Sequence, residues 1–316
     1  LEAVMLPDAV VPVAETTRSG VVESIHFGAV VALDTDGMTL WSAGDPDTDV
    51  YPRSALKPLQ AQAMSDAGFA AESDELAVAA ASHSGEPMHL EVVLRILDRA
   101  GLDEGALRNT PALPLGTAAA ADVLRAGGSA RPLLQNCSGK HAAMLATSVA
   151  NGWDVDSYLE LDHPVQKLID TYIAEEAGGV SHTGIDGCGA PTAMITLTGL
   201  AFAVRSLAIR QSTVYAAMRA HPELVAGERR EDTLLMRAVP GLIAKGGAEG
   251  IHVAAHPDGR AVAVKVADGS ERARVPVMVA ALRSLGFDVD DVPVPLILGH
   301  GRPVGEVRSL VGRPRD

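Results

Sequence analysis

The chain of 316 residues is long for one compact core, so two lobes are expected, and its 47% hydrophobic and 21% charged residues describe a soluble globular protein. A net charge of −14 and a pI near 5.1, with no basic stripe to relieve them, exclude a nucleic-acid or anionic-membrane surface as the natural partner. Aromatic residues make up only 3%, which leaves the core to Ala, Val and Leu.

The opening "LEAVMLPDAVVPVAETTRSG" has no basic start and is interrupted by Pro7, Asp8 and Pro12, so it does not read as a secretory signal. No apolar run approaches the roughly 18 residues of a membrane span. Two cysteines make no disulfide framework, and a cytoplasmic location is expected. Residues 28–44, "GAVVALDTDGMTLWSAG", alternate about an Asp-Gly turn and predict a β-hairpin. From Lys57 to about Val239 the pattern is mostly helical. "PMHLEVVLRILDRAG" sets Leu90, Val93, Leu94 and Leu97 on one face. "AAMLATSVANG", "VQKLIDTYIAEEAGG" and "STVYAAMRAHPELVAG" follow, each closing on glycine. After Gly241 the period returns to that of strands: "IHVAAHPDGRAVAVKVADG" is strand, turn, strand; "PVMVAALRSLGF" is a helix; "VPLILGHGRPVGEVRSLV" is strand again. The expected fold is α/β: one sheet from the early hairpin and the late strands, with flanking helices and a mostly helical insert. The lobes are placed at about 18–53 plus 240–316, and about 54–239.

Four short stretches carry chemistry. In "YPRSALKPLQA", Pro58 lacks an N–H and fits only a first helical turn, which fixes a helix start near Ser54 and Lys57. Unpaired backbone N–H groups there favour an alkoxide or oxyanion at Ser54. A lysine acting as base works in its neutral form, which burial or a cation such as Arg53 favours. Ser-x-x-Lys opens the serine β-lactamases and penicillin-binding proteins; taken alone it reads more readily as a serine cap with a solvated lysine. In "ELAVAAASHSGEP" an apolar run delivers Ser82-His83-Ser84-Gly85 to its exit, the place of a cleft or of an ordinary turn. "LLQNCSGKHAAMLA" and "GIDGCGAPTAM" place Cys137 and Cys188 in Gly-containing turns, the second before a helix expected to open at Pro191. Thiolates are favoured at such helix starts, and two meeting turns would suit zinc. Two unrelated core cysteines is the simpler reading of the spacing. In "LIAKGGAEGIHVAA", Lys245-Gly-Gly lies shortly before a predicted strand, as Lys-Thr-Gly does in the penicillin-recognising enzymes. Only five of the 26 basic residues are lysine, and three of those five fall inside these stretches. An ammonium can be deprotonated where a guanidinium effectively cannot.

Together "RSALKPLQA", "ASHSGE", "NCSGKHAAML", "DHPVQ", "DGCGAPT", "AHPELVAGE" and "LLMRAVPGLIAKGGAEG" resemble the rhizobial-type L-asparaginase family, also called asparaginase II, in blocks that run from residue 53 to 250. The resemblance implies a β-lactamase/glutaminase-like fold and hydrolysis of L-asparagine to L-aspartate and ammonia. It implies two Ser–Lys pairs, Ser54 with Lys57 and Ser82 with Lys245, and one zinc ion on Cys137, Lys140 and Cys188. Arg53, His141 and Asp186 fall in the same blocks as candidates for gripping the substrate, and a homodimer is expected. Other readings of the same residues are a glutaminase, a β-lactamase or penicillin-binding-type hydrolase, and a non-catalytic zinc-binding protein. The β-lactamase reading lacks a Ser-Asp-Asn triplet.

Overall fold

The structure is a computed structural model that describes residues 7–312; residues 1–6, the start of the stretch that does not read as a secretory signal, lie outside the described residues. In chain order the strands are β1 (Val11–Arg18), β2 (Val21–Leu33), β3 (Thr39–Ala43), β4 (Asp49–Val50), β5 (His182–Ile185), β6 (Pro191–Thr196), β7 (Ile243–Gly246), β8 (Ile251–Ala255), β9 (Ala261–Val266), β10 (Leu296–Gly299) and β11 (Arg302–Ser309). The helices are α1 (Lys57–Asp66), α2 (Ser73–Ala79), α3 (Pro87–Arg99), α4 (Thr117–Arg125), α5 (Ser138–Ala150), α6 (Pro164–Ala177), α7 (Leu197–Ile209), α8 (Thr213–Ala220), α9 (Pro222–Val225), α10 (Glu231–Ala238) and α11 (Glu271–Ser284). Among the described residues no helix is long and apolar enough to cross a membrane.

The chain divides into two compact units. The first takes the chain as far as Ala55, then Met194–Arg210, then Leu234 onwards. Its sheet runs β10-β11-β1-β2-β9-β8-β7 in antiparallel pairs, with β3 paired to β2. The expected hairpin is therefore present, as are the late strands. β1 is an addition: its Pro12 and mixed polarity hid it from the pattern, and Ala14 to Thr16 pair with both β2 and β11. Strands β7 and β8 are buried along their whole length, so they show no alternation of polar and apolar residues. Helices α7 and α11 pack on β8 and β9. Helix α11 begins at Glu271, a turn earlier than the pattern indicated, and holds Pro276 in its interior. Proline cannot donate to the carbonyl four residues back, so that rung of the ladder is missing.

The second unit is Leu56–Ala193 with Gln211–Thr233. Helix α1 is buried on every side from Lys57 to Met64, and α5, α6 and α8 pack around it. A helix buried all round is normally apolar; here Gln62 is accommodated by its hydrogen bonds to Asp66 (2.8 Å) and to the Val214 N–H (3.2 Å) at the start of α8. Helix α2 starts on a capping box, with the Glu72 N–H donating to Glu75 Oε2 at 2.9 Å, and the buried Glu75 carboxylate also accepts from Arg95 and Arg99. The apolar face of α3 is rotated from the expected one. His89, Val92, Val93, Ile96 and Leu97 are buried while Leu94 is exposed, because the ring of His89 turns inward to pack on His83.

One local expectation fails outright. Pro191 opens strand β6, not a helix. The strand carries β-branched Thr192, Ile195 and Thr196 and pairs with β4 through Ile195–Val50 and Thr196–Asp49. Helix α7 begins only at Leu197, where the Thr196 hydroxyl accepts from the Gly199 N–H at 2.9 Å.

Candidate active site

Burial separates the lysines sharply. Lys57, Lys140 and Lys245 are each at most 2% exposed and rank among the largest fully buried side chains, while Lys167 is exposed and Lys265 half-buried. A buried ammonium or amine needs hydrogen-bonded company, and each of the three has it.

Lys57 heads α1 in the second unit. Its Nζ donates to the Ala81 carbonyl (2.5 Å), the Ser82 hydroxyl (3.2 Å) and the Asn136 carbonyl (3.4 Å). Ser82 sits just past the end of α2, pinned by its N–H to the Val225 carbonyl at 2.9 Å. The rest of the Ser-His-Ser motif is satisfied as well. His83 Nδ1 accepts from the Gly85 N–H (3.2 Å), so in the neutral ring Nε2 carries the proton and donates to Ser138 Oγ (2.9 Å). Ser84 Oγ donates to the Ala226 carbonyl at 2.9 Å. Burial, the neighbouring His89 and the Lys57 charge hold His83 well below the usual histidine range, and burial lowers His89 too. The two rings stack with centroids 5.3 Å apart.

Both rings are thus neutral in the folded protein, while an unfolded histidine titrates near 6.5. Above that pH neither state takes up a proton and stability is unaffected. Between that pH and the lowered folded-state values the unfolded chain takes up the proton first, so stability falls by up to about 1.4 kcal/mol per pH unit for each ring. Urea unfolding at pH 7.5 and pH 5.0 measures this, and a His83→Asn, His89→Asn double variant should lose part of the acid-side slope. An unchanged slope would mean the rings do not supply it.

The cysteine turns meet. Cys137 caps α5, and Cys188 lies in the turn that begins at Asp186, whose carbonyl accepts from the Gly189 N–H at 2.8 Å. Asn109 and Thr110, which carried no signal in the sequence, join the two. The Asn109 amide donates to Gln135 Oε1 (3.0 Å) and the Thr110 N–H to the Cys188 carbonyl (3.2 Å). Lys140 Nζ stands 3.3 Å from Cys188 Sγ. A hydrogen bond from Cys137 draws Cys188 well below the ordinary thiol range; burial opposes this, and the Lys140 charge reinforces it. The same bond and burial push Cys137 up. Burial alone would lower Lys140, but Cys188, Cys137 and Asp186 together more than offset that and keep it protonated. Among the described residues no group of three or more histidine, cysteine and carboxylate side chains is placed to hold a metal ion. Two sulfurs and a lysine amine are a different donor set, and a soft ion that takes thiolate and nitrogen ligands fits it.

His141 is fully buried one residue beyond Lys140, with Nδ1 2.9 Å from the Tyr158 hydroxyl. That hydroxyl already accepts from the Arg108 N–H at 3.0 Å, so its own proton goes to His141 Nδ1. Burial lowers His141 and raises Tyr158 to about 12, which keeps both groups neutral. Nε2 of His141 is buried without a hydrogen bond of normal geometry, close to the Cys188 sulfur. Asp186 is half-buried, its Oδ1 accepting from the Gly187 N–H at 2.8 Å.

Ser54 and Lys245 belong to the first unit. Ser54 lies in the turn Pro52–Ala55, closed by the Ala55 N–H on the Pro52 carbonyl at 3.0 Å. Arg53, the residue before it, has φ +54°, a left-handed backbone that costs a non-glycine residue about 1–3 kcal/mol and clusters at functional sites. Lys245 lies within β7 rather than ahead of a strand, and its Nζ donates to the Gly246 carbonyl at 2.6 Å. A Cβ on Gly247 would collide with the Pro52 carbonyl oxygen and lie 3.2 Å from the Ala55 N–H nitrogen, so the end of β7 abuts the Ser54 turn. Ser54 and Lys245 thus lie in the first unit, and Lys57 and Ser82 in the second. A direct hydrogen bond joins Lys57 to Ser82.

No curated protein matches the sequence significantly. Among solved structures the chain is similar to a β-lactamase from Mycobacterium bovis, at 15% identity and TM-score 0.42, over 77% of this chain and 88% of that one. It is likewise similar to Mglu, at 15% identity and TM-score 0.35, over 81% of this chain and 66% of that one. The family model described as L-asparaginase II matches residues 14–309, a span that takes in every serine, lysine and cysteine placed above. The chain is a member of the L-asparaginase II family.

Proposed function

We propose that the protein hydrolyses the side-chain amide of L-asparagine to L-aspartate and ammonia by serine-mediated acyl transfer. The observation that carries this is the buried Lys57 amine on the Ser82 hydroxyl, in a chain of this family. Ser54 is assigned the attack, since it follows the strained Arg53 and opens onto a helix start. Lys57 works as the base in its unprotonated form, which takes the serine proton while the alkoxide adds to the amide carbon. The proton returns to the leaving nitrogen, ammonia departs, and water opens the ester to release aspartate. Ser82 and Lys245 relay protons, and Arg53, His141 and Asp186 hold the substrate's amino and carboxylate groups. A glutaminase would use the same steps.

Cys137, Lys140 and Cys188 would hold one zinc ion, which supplies a fixed positive charge to organise the cleft. Binding needs both sulfurs as thiolates and the amine neutral, so Cys137 and Lys140 must each release a proton. Zinc affinity should therefore rise about tenfold to a hundredfold per pH unit between pH 6 and 8, measured by competition with a chromophoric chelator. A pH-independent affinity would exclude this ligand set. The protein is further expected to act in the cytoplasm as a homodimer, which sedimentation tests. Ammonia release from L-Asn and L-Gln, with and without added zinc, tests the activity. Acylation by a fluorescent penicillin with no ammonia release would favour the β-lactamase reading.

A further inference from the structure

We propose that Arg274, on α11, is a positioning residue that sets the distance between the Lys245 strand and the Ser54 turn; this rests on the amidohydrolase reading above. Arg274 is only 3% exposed, and its approach to the exposed Glu271 is a long 3.9 Å. A buried guanidinium is held in place by its hydrogen bonds. Nη1 donates to the Gly247 carbonyl at 2.7 Å. The plane of the guanidinium lies 3.2–3.3 Å from where a Cβ on Gly246 would stand. A Cβ at position 246 would press the guanidinium back by a few tenths of an ångström.

The opposite contact of the same short segment is the Ser54 turn, where Gly247 leaves no room for a Cβ beside the Pro52 carbonyl. Gly246 and Gly247 are thus held between a buried cation on α11 and the turn bearing Arg53 and Ser54. Lys245 is fixed in turn by its Nζ on the Gly246 carbonyl. A permanently charged, planar donor suits this role, because it keeps both its charge and its shape at every working pH. Arg274 touches neither the substrate nor the reacting atoms of the proposed reaction; it acts through the backbone of residues 245–247.

The test is steady-state ammonia release by wild type, Arg274→Met, Arg274→Ala and Gly246→Ala, each with a melting temperature. A misplacement of about 1 Å costs on the order of 100-fold in rate, so Arg274→Met should lose roughly 30-fold to 100-fold in kcat, and Gly246→Ala, which shifts the guanidinium by a few tenths of an ångström, about threefold to tenfold. KM should change by less than about threefold if only the reacting groups have moved. Methylguanidinium at tens of millimolar should restore part of kcat in Arg274→Ala, but none in Lys245→Ala. Wild-type kcat in a folded Arg274→Met, or a loss in Arg274→Ala that methylguanidinium does not relieve, overturns the proposal. Should Arg274→Met fail to fold, Gly246→Ala decides, since it displaces the guanidinium without removing it. A wild-type protein inactive on both L-Asn and L-Gln overturns the amidohydrolase reading and this proposal with it, an outcome distinct from an active wild type with unaffected variants.

Discussion

Replacing Lys57 with methionine is expected to reduce ammonia release from L-asparagine by about 1,000-fold, the middle to upper part of the range for losing a general base. Methionine nearly conserves the volume of this buried side chain. What disappears is the nitrogen shared by Ala81, Ser82 and Asn136. Two carbonyls lose a donor in a buried setting, which adds a stability cost of about 1–3 kcal/mol and a lower melting temperature. Lys57→Arg separates the two effects. It keeps a cation and several donors but cannot give up its proton, so it should be as inactive as the methionine variant. Near-normal turnover in Lys57→Arg would falsify the base assignment, whatever the fate of the methionine variant.

The largest expected effect on stability comes from Gly139→Ala. Gly139 lies in the first turn of α5, between Cys137 and Lys140, where the helix runs directly against Val78 of α2. A Cβ there would collide with the Val78 carbonyl oxygen and come within 2.5 Å of Val78 Cγ1. The carbonyl belongs to a helix backbone and cannot swing aside, so the helices must part. Overpacking of this kind costs about 1–3 kcal/mol and sometimes more, and the upper end is expected because the obstacle is main chain. Urea unfolding measures it. The same displacement should loosen the Asn136 carbonyl that serves Lys57, and it should weaken zinc binding at the proposed site on Cys137 and Lys140. A Gly139→Ala protein within about 0.5 kcal/mol of wild type would mean that α2 and α5 adapt far more readily than their burial implies.

Where the chemistry of a residue type set its place, the sequence was readable. Three of five lysines lay in the four chemical stretches, and those three are the buried ones. Strand pairs with turn signals, such as β2 with β3 and β8 with β9, were equally plain. Where local pattern supports two outcomes, tertiary contacts decided. Pro191 is as suitable at the head of a strand as at the head of a helix, and only the pairing of Ile195 with Val50 selects the strand. The contact of Lys57 with Ser82 is another case, since the two lie 25 residues apart and no local pattern joins them. Arg274, Tyr158 and Asn109 gave no sign of a role, because each matters through a backbone group or a partner that lies far away in sequence. An arginine in a helical stretch looks like any solvated cation until the strand it backs is seen.

The sealing of three lysines has a practical side. Amine-directed reagents such as activated esters need an accessible, nucleophilic side-chain nitrogen. Among the lysines, only Lys167 on the outer face of α6 is exposed, with Lys265 half-buried behind it in reactivity. Tethering, labelling or polymer coating through lysine should therefore proceed at essentially one side-chain position and leave the nitrogens of Lys57, Lys140 and Lys245 untouched. A chain that writes its surface charge in arginine carries its own protecting-group strategy.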